Sequence, residues 1–148
     1  MEVQLKDGFM ISSNKEYLDL DVIYQFLHSE SYWAKGIPYE IMEESIQHSI
    51  CFGVYQGNVE DEHRQVGFAR IITDFATFAY IADVFILSEF RKLGLSKALV
   101  QAMLAYPGIQ KVRKVALATS DAHGLYRQFG FKEAEINKYM HLPRNQYQ

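Results

Sequence analysis

The run Ala79 to Leu87 carries a single charge, Asp83, and leads through a short basic turn into a second apolar run with a different period. From Ser96 to Tyr106 the apolar residues Leu95, Ala98, Leu99, Ala102 and Met103 recur at helical spacing. Between them lies Glu89-Phe90-Arg91-Lys92-Leu93-Gly94. A strand, a glycine turn and a helix start make a corner that holds anions. The first amides of a helix have no partner within it and point beyond its end. Those amides and the helix dipole favour phosphate or pyrophosphate. Gly94 lets the backbone approach a ligand closely. Ser96 is small and able to cap the helix. Arg91 and Lys92 are placed to add charge-assisted bonds to phosphate oxygens. The same pattern also fits an ordinary strand-to-helix turn with solvated basic side chains.

The remaining pattern sets the fold class. Phe9–Ser12, Ile50–Tyr55, Val66–Thr73, Ala79–Leu87, Lys114–Thr119 and Glu135–Leu142 read as strands. Leu20–His28 reads as a helix through Leu20, Ile23, Tyr24 and Leu27. A second helix starts at Pro38, with Ile41, Met42, Ser45 and Ile46 on one side. Ser120 or Asp121 caps a short helix that stops at Gly130, and Pro107-Gly108 ends the one before. Gly57–Arg64 and Asp74–Thr77 are turns. Short turns make the middle strands antiparallel. Ala79–Thr119 is a parallel strand-helix-strand unit with a right-handed crossover. The class is α/β with a mixed sheet: central, mostly antiparallel, with one parallel strand-helix-strand unit and helices on both faces. We expect one domain over residues 1–148.

Composition narrows the functions. Of 148 residues, 49% are apolar and 22% charged, which suits a packed core. The formal net charge of −3 argues against broad attraction to nucleic acid, although Arg91, Lys92, Lys97, Lys111, Arg113 and Lys114 lie close in sequence. A single cysteine, Cys51, forms no internal disulfide and suggests a reducing compartment. The first residues lack a basic segment followed by an apolar run, and Asp74 and Asp83 interrupt the most apolar region. We therefore expect a cytoplasmic protein that binds neither membrane nor nucleic acid. His28, His48, His63, His123 and His141 are scattered without paired ligand spacing, so no metal is expected.

Two segments carry a family resemblance. Val84-Phe85-Ile86-Leu87-Ser88-Glu89-Phe90-Arg91-Lys92-Leu93-Gly94-Leu95-Ser96 resembles the acetyl-coenzyme A signature of the GCN5-related N-acetyltransferase (GNAT) family, Arg/Gln-x-x-Gly-x-Gly/Ala after a strand. Arg91, Gly94 and Ser96 hold the marked positions, with serine replacing the usual glycine or alanine. Ala122-His123-Gly124-Leu125-Tyr126-Arg127-Gln128-Phe129-Gly130-Phe131 is similar to the family's A-x-x-L-Y-x-x-x-G-F segment. Thr119 stands where many members carry asparagine. The two motifs come in the family's order, with a helix and a strand between them.

The resemblance implies a GNAT-like fold and transfer of an acetyl group from acetyl-CoA to an amine. It implies that Arg91, Lys92, Leu93, Gly94, Leu95 and Ser96 hold the pyrophosphate, with Thr119 and Tyr126 near the cofactor. It also implies that Val84, Phe85 and Ile86 hold the pantetheine arm and thioester through their backbone. Such chemistry needs a proton acceptor for the amine and a donor for the leaving thiolate. Tyr126 is the candidate donor; helical spacing with Ala122 and Phe129 equally suits a core residue. Asp83 is the candidate base, against a structural aspartate, and strand alternation puts it opposite Tyr80, Val84 and Ile86. Trp33, in Tyr32–Tyr39, and Tyr80 are candidates for the acceptor pocket, with Phe75, Phe78 and Asp74 nearby. Asp121-Ala122-His123 reads as a helix start. The leading expectation is acetylation of a small-molecule primary amine. The alternatives are a non-catalytic acyl-CoA-binding module and a protein lysine or N-terminal acetyltransferase. A homodimer stays open.

Overall fold

The computed structural model describes residues 1–144 and Tyr147. Six strands lie in sequence order across one sheet: β1 (Glu2–Gln4), β2 (Phe9–Ser12), β3 (Ile50–Gly57), β4 (His63–Thr73), β5 (Phe78–Ile86) and β6 (Lys114–Ala116). Neighbours from β1 to β5 pair antiparallel, and β5 pairs parallel with β6. Four helices complete the order: α1 (Leu20–Gln25) and α2 (Tyr39–Gln47) before β3, α3 (Leu95–Leu104) between β5 and β6, and α4 (His123–Arg127) after β6. This is the mixed α/β class that the sequence implies. No helix among the described residues is long and apolar enough to cross a membrane.

Alternation along the strands builds two cores, one on each sheet face. Phe52, Val54, Ala69, Ile71, Ala79 and Ile81 turn to α3 and meet Leu95, Leu99 and Met103. Cys51, Phe68 and Phe85 turn the other way, onto Ile23 and Phe26 of the first helical segment and Met42 and Ile46 of α2. Each fully buried leucine or phenylalanine contributes about 1.5–3 kcal/mol over its exposed state. The β4–β5 hairpin closes through Asp74. Its Oδ1 accepts from the amides of Ala76, Thr77 and Phe78 at 2.9, 2.7 and 3.3 Å, and its Oδ2 from the Thr77 hydroxyl at 2.6 Å. The Thr77 hydroxyl and these amides hold the Asp74 carboxyl below the usual carboxylate range.

Several elements differ from the sequence reading. β1 is an additional edge strand of three residues, too short to show alternation. The first helix stops at Gln25 and widens into one π turn, Phe26–Glu30. On α2, Met42 and Ile46 are buried but Ile41 is exposed. β6 ends at Ala116, three residues short of Thr119. The start of α4 carries no side-chain cap from Ser120 or Asp121; instead the Thr119 hydroxyl accepts from the Ala122 amide at 3.0 Å. Glu135–Leu142 forms no strand.

Candidate active site

The corner after β5 is assembled from the backbone outward. Leu87 donates to the Val66 carbonyl at 2.8 Å, and Ser88–Phe90 forms a tight turn. Lys92 and Gly94 then adopt left-handed φ of 66° and 79°. α3 begins at Leu95, no side chain caps it, and its first bond runs from the Ala98 amide to the Gly94 carbonyl at 3.1 Å. Gly94 rather than Ser96 is therefore the N-cap, and Ser96 lies half-buried in the first turn. Leu95 is buried in the core, which anchors the turn and leaves its amide at the helix end. A Cβ on Gly94 would meet nothing within 4 Å, so open space faces the bend. Arg91 Nε donates to the Ile86 carbonyl at 3.2 Å and ties the loop to the end of β5. Arg91, Lys92, Leu93 and Gly94 are all exposed.

Beside this corner β5 and β6 part. They pair only over Phe78/Lys114, Ala79/Val115 and Tyr80/Ala116. Beyond Tyr80 no strand among the described residues pairs with that edge of β5. A bulge interrupts β5 in the same stretch: the β4 register shifts between Phe68 and Arg70, and Asp83 has φ of 55°. The extra residue reverses the alternation. Ala79 and Ile81 before it, and Val84 and Ile86 after it, all meet the α3 core, so Tyr80 does not share a face with Val84 and Ile86 as strict alternation predicts. Phe85 instead faces the other core, stacked on Phe26 with centroids 4.0 Å apart.

The bulge presents Asp83 to two partners that the sequence leaves unconnected. Arg70 Nε donates to its Oδ2 at 2.6 Å, and Trp33 Nε1 to its Oδ1 at 2.8 Å. Arg70 also donates to Ser49 Oγ at 3.1 Å. The ion pair is largely withdrawn from solvent, with the side chains of Arg70 and Asp83 only 16% and 9% exposed. Both carboxylate oxygens are thus engaged. Trp33 brings its loop onto β5, and its neighbour Tyr32 accepts from the Ser120 amide at 3.2 Å. The Tyr32–Trp33 pair therefore bridges from β5 to the segment after β6. Tyr80 is half-buried and pairs across the sheet with Ile72.

Tyr126 lies in α4, buried, its ring edge-on to Phe131 at 5.7 Å. Its hydroxyl makes no hydrogen bond among the described residues. Burial, helped by nearby Tyr32 and Asp121, pushes its pKa up to about 12, so the phenol keeps its proton throughout the neutral range. Tyr126 and Thr119 also line one cavity, and Thr119 already accepts from Ala122. The expected residues therefore fall into three groups: Arg91 to Ser96 at the corner, Trp33 with Asp83 at the bulge, and Thr119 with Tyr126 beyond β6. No hydrogen bond joins Tyr126 to Asp83. Sequence reasoning missed Arg70, Ser49 and Tyr32 as partners. A lone arginine within the apolar run Val66–Thr73, one hairpin away from a lone aspartate, is the signal that would have found the first.

The sequence model of the acetyltransferase (GNAT) domain matches residues 47–133. A protein of Gibberella zeae assigned to the acetyltransferases is 30% identical over 144 residues, covering 86% of this chain and 81% of its own length. The crystal structure of a GNAT-family protein from Xanthomonas campestris matches with a TM-score of 0.84 and 41% identity, covering 93% of this chain and 94% of that one. A GNAT-family acetyltransferase of Elizabethkingia anophelis, solved with acetyl-CoA bound, shares the fold at a TM-score of 0.64 and 13% identity, over 88% of this chain and 80% of that one. The matched segment spans the uncapped helix, the bulged strand and Tyr126, and on these grounds the chain is an acetyltransferase of the GNAT family.

Proposed function

We propose that this enzyme transfers the acetyl group of acetyl-CoA to the primary amine of a small molecule by direct attack. The observation that carries the reading is the uncapped start of α3 beside the free edge of bulged β5. Amides at a helix start suit a pyrophosphate, and a free strand edge suits a ligand that carries amide groups of its own. Arg91 and Lys92 add charge at the first, and the backbone of Val84, Phe85 and Ile86 serves the second. Acetyl-CoA supplies an activated acyl group on a thiol leaving group.

The chain's own groups handle the protons. Asp83, directly or through water, takes a proton from the attacking amine as the N–C bond forms. Tyr126 gives its proton to the thiolate as the C–S bond breaks. A buried phenol with a pKa of about 12 is always charged with its proton at neutral pH, though it gives it up less readily than a free tyrosine. Trp33 and Tyr80 frame the acceptor, and Asp83 beside the Trp33 ring attracts a cationic amine. The Tyr32–Ser120 bridge across the mouth favours a slender amine over a protein segment.

A panel of small amines and a lysine peptide, each offered with acetyl-CoA and followed by thiol release, tests the reading. Release with a small amine at higher kcat/KM than with the peptide is expected. Preference for the peptide overturns the small-molecule assignment. Binding of acetyl-CoA with no release above background, whatever the amine, makes the chain a binding module.

A further inference from the structure

Arg70 carries the only charge in the run Val66–Thr73. Its backbone pairs with Cys51 of β3 on one side and Ala82 of β5 on the other. Between the Phe68/Phe85 and Arg70/Ala82 pairs, β4 has one residue, Ala69, and β5 has two, Asp83 and Val84. Arg70 therefore stands at the edge of the bulge, beside the residue with the left-handed backbone. Ala69 and Ile71 face the α3 core, so alternation turns Arg70 to the opposite face, where Cys51, Phe68 and Phe85 are buried. Nothing in the packing of that apolar face calls for a cation.

The guanidinium is held along two of its edges. Nε donates to Asp83 Oδ2 at 2.6 Å, and Nη1 donates to Ser49 Oγ at 3.1 Å. Ser49 is buried, and its own hydroxyl donates to the Ser45 carbonyl in the last turn of α2 at 2.7 Å. Trp33 Nε1 holds the other carboxylate oxygen at 2.8 Å. Asp83 thus meets donors from two different elements, which fixes the plane of its carboxylate. A buried ion pair is weak ground for stability, because desolvation offsets much of the attraction. Its geometry is the stronger reason for it here.

We propose that Arg70, anchored through Ser49 to α2, is a positioning residue for the acetyl transfer: it holds the Asp83 carboxylate in the orientation that receives the proton of the amine. The proposal rests on the reading of Asp83 as the base. A guanidinium suits the task because its donors lie in one rigid fork. A lysine at the same place keeps the charge but has one nitrogen for two partners that lie in different directions.

Two measurements on the full chain test this, and the first needs no amine. Trp33 is the only tryptophan, so its Nε1–H gives a single indole resonance in a proton–nitrogen correlation spectrum. That resonance reports the bond to Asp83. It should shift in Arg70→Lys and in Ser49→Ala, with the circular dichroism of the parent. The second is steady-state kinetics with acetyl-CoA and the small amine of the panel above that turns over fastest. There kcat should fall about tenfold in Arg70→Lys and Ser49→Ala and about 10²-fold in Arg70→Met, with the KM for acetyl-CoA within about twofold of the parent. An unmoved indole resonance overturns the proposal, as does a parental kcat in Arg70→Lys. A fall in kcat matched by an equal loss of acetyl-CoA affinity marks a merely structural role and also overturns it. If Arg70→Met does not fold, the other two variants still decide. Asp83→Asn tells the proposal from the reading beneath it. Parental kcat in Asp83→Asn removes Asp83 as the base and takes the proposal with it. Loss of kcat in Asp83→Asn beside parental kcat in Arg70→Lys keeps the base and removes only the part given to Arg70.

Discussion

Asp83 and Tyr126 are held by opposite means, and the roles we propose for them differ accordingly. Asp83 is fixed by bonds from Arg70 and Trp33 on a left-handed backbone. A non-glycine residue in that region costs of order 1–3 kcal/mol, which surrounding contacts must offset. Tyr126 is fixed by packing, and its hydroxyl makes no hydrogen bond among the described residues. Tyr126→Phe should therefore lower kcat by about 10² or more, the usual contribution of a positioned acid, with the KM for acetyl-CoA unchanged. Equal turnover in the variant removes Tyr126 from the mechanism. The sign of the pH effect follows from the raised pKa. Tyr126's contribution to stability is complete below its unfolded pKa of about 10. It is lost as pH climbs through its folded value of about 12. At this scale the sequence marked Asp83 and Tyr126 as one charge in an apolar strand and one tyrosine in a motif. It hid Arg70 and Tyr32 because hydrogen bonds across 13 and 88 residues depend on the hairpin register and on a loop reaching past β6.

The bulge in β5, the parting of β6 and the corner before α3 act together as elements. The corner turns on Gly94, whose φ of 79° costs an alanine-like residue roughly 1–2 kcal/mol. Its open surroundings mean that a side chain there strains the backbone without a clash in the ligand-free protein. Gly94→Val should lose both stability and acetyl-CoA affinity. Gly94→Asn separates the two, since asparagine tolerates the left-handed region. It should melt close to the parent yet bind acetyl-CoA about tenfold more weakly, or ~1.4 kcal/mol, by calorimetry. Unchanged affinity in both variants removes the bend from the cofactor site. Strong periods made most elements legible: Phe9–Ser12 coincides with β2, and the cores of β3, β4, β5 and α3 lie where alternation or helical spacing puts them. Glu135–Leu142 has the pattern of a strand but pairs with none among the described residues, and periodicity alone does not report a partner. The bulge was invisible for a related reason, since one inserted residue changes the register without changing the composition.

Across the whole molecule, the site draws on segments far apart in the chain. Trp33 and Tyr32 come from the loop after the first helix, Asp83 and the corner from β5 and α3, and Tyr126 from α4. The Trp33–Asp83 bond ties that loop to β5 and the Tyr32–Ser120 bond ties it to the segment after β6. A ligand lying in the gap between β5 and β6 touches both sides at once, and it binds the folded chain alone. By mass action, acetyl-CoA at a hundred times its Kd stabilises the fold by about 2.7 kcal/mol. For a domain of this size each kcal/mol moves Tm by about 2–4 °C, so the midpoint should rise by roughly 5–10 °C. The adenosine 3′,5′-bisphosphate fragment, which lacks the pantetheine arm, reaches the corner but not the free edge of β5, and should give only part of that rise. Differential scanning calorimetry with the two ligands measures the difference. Equal shifts would mean that the arm makes no contact with Val84–Ile86, and no shift with either would remove the cleft as the cofactor site.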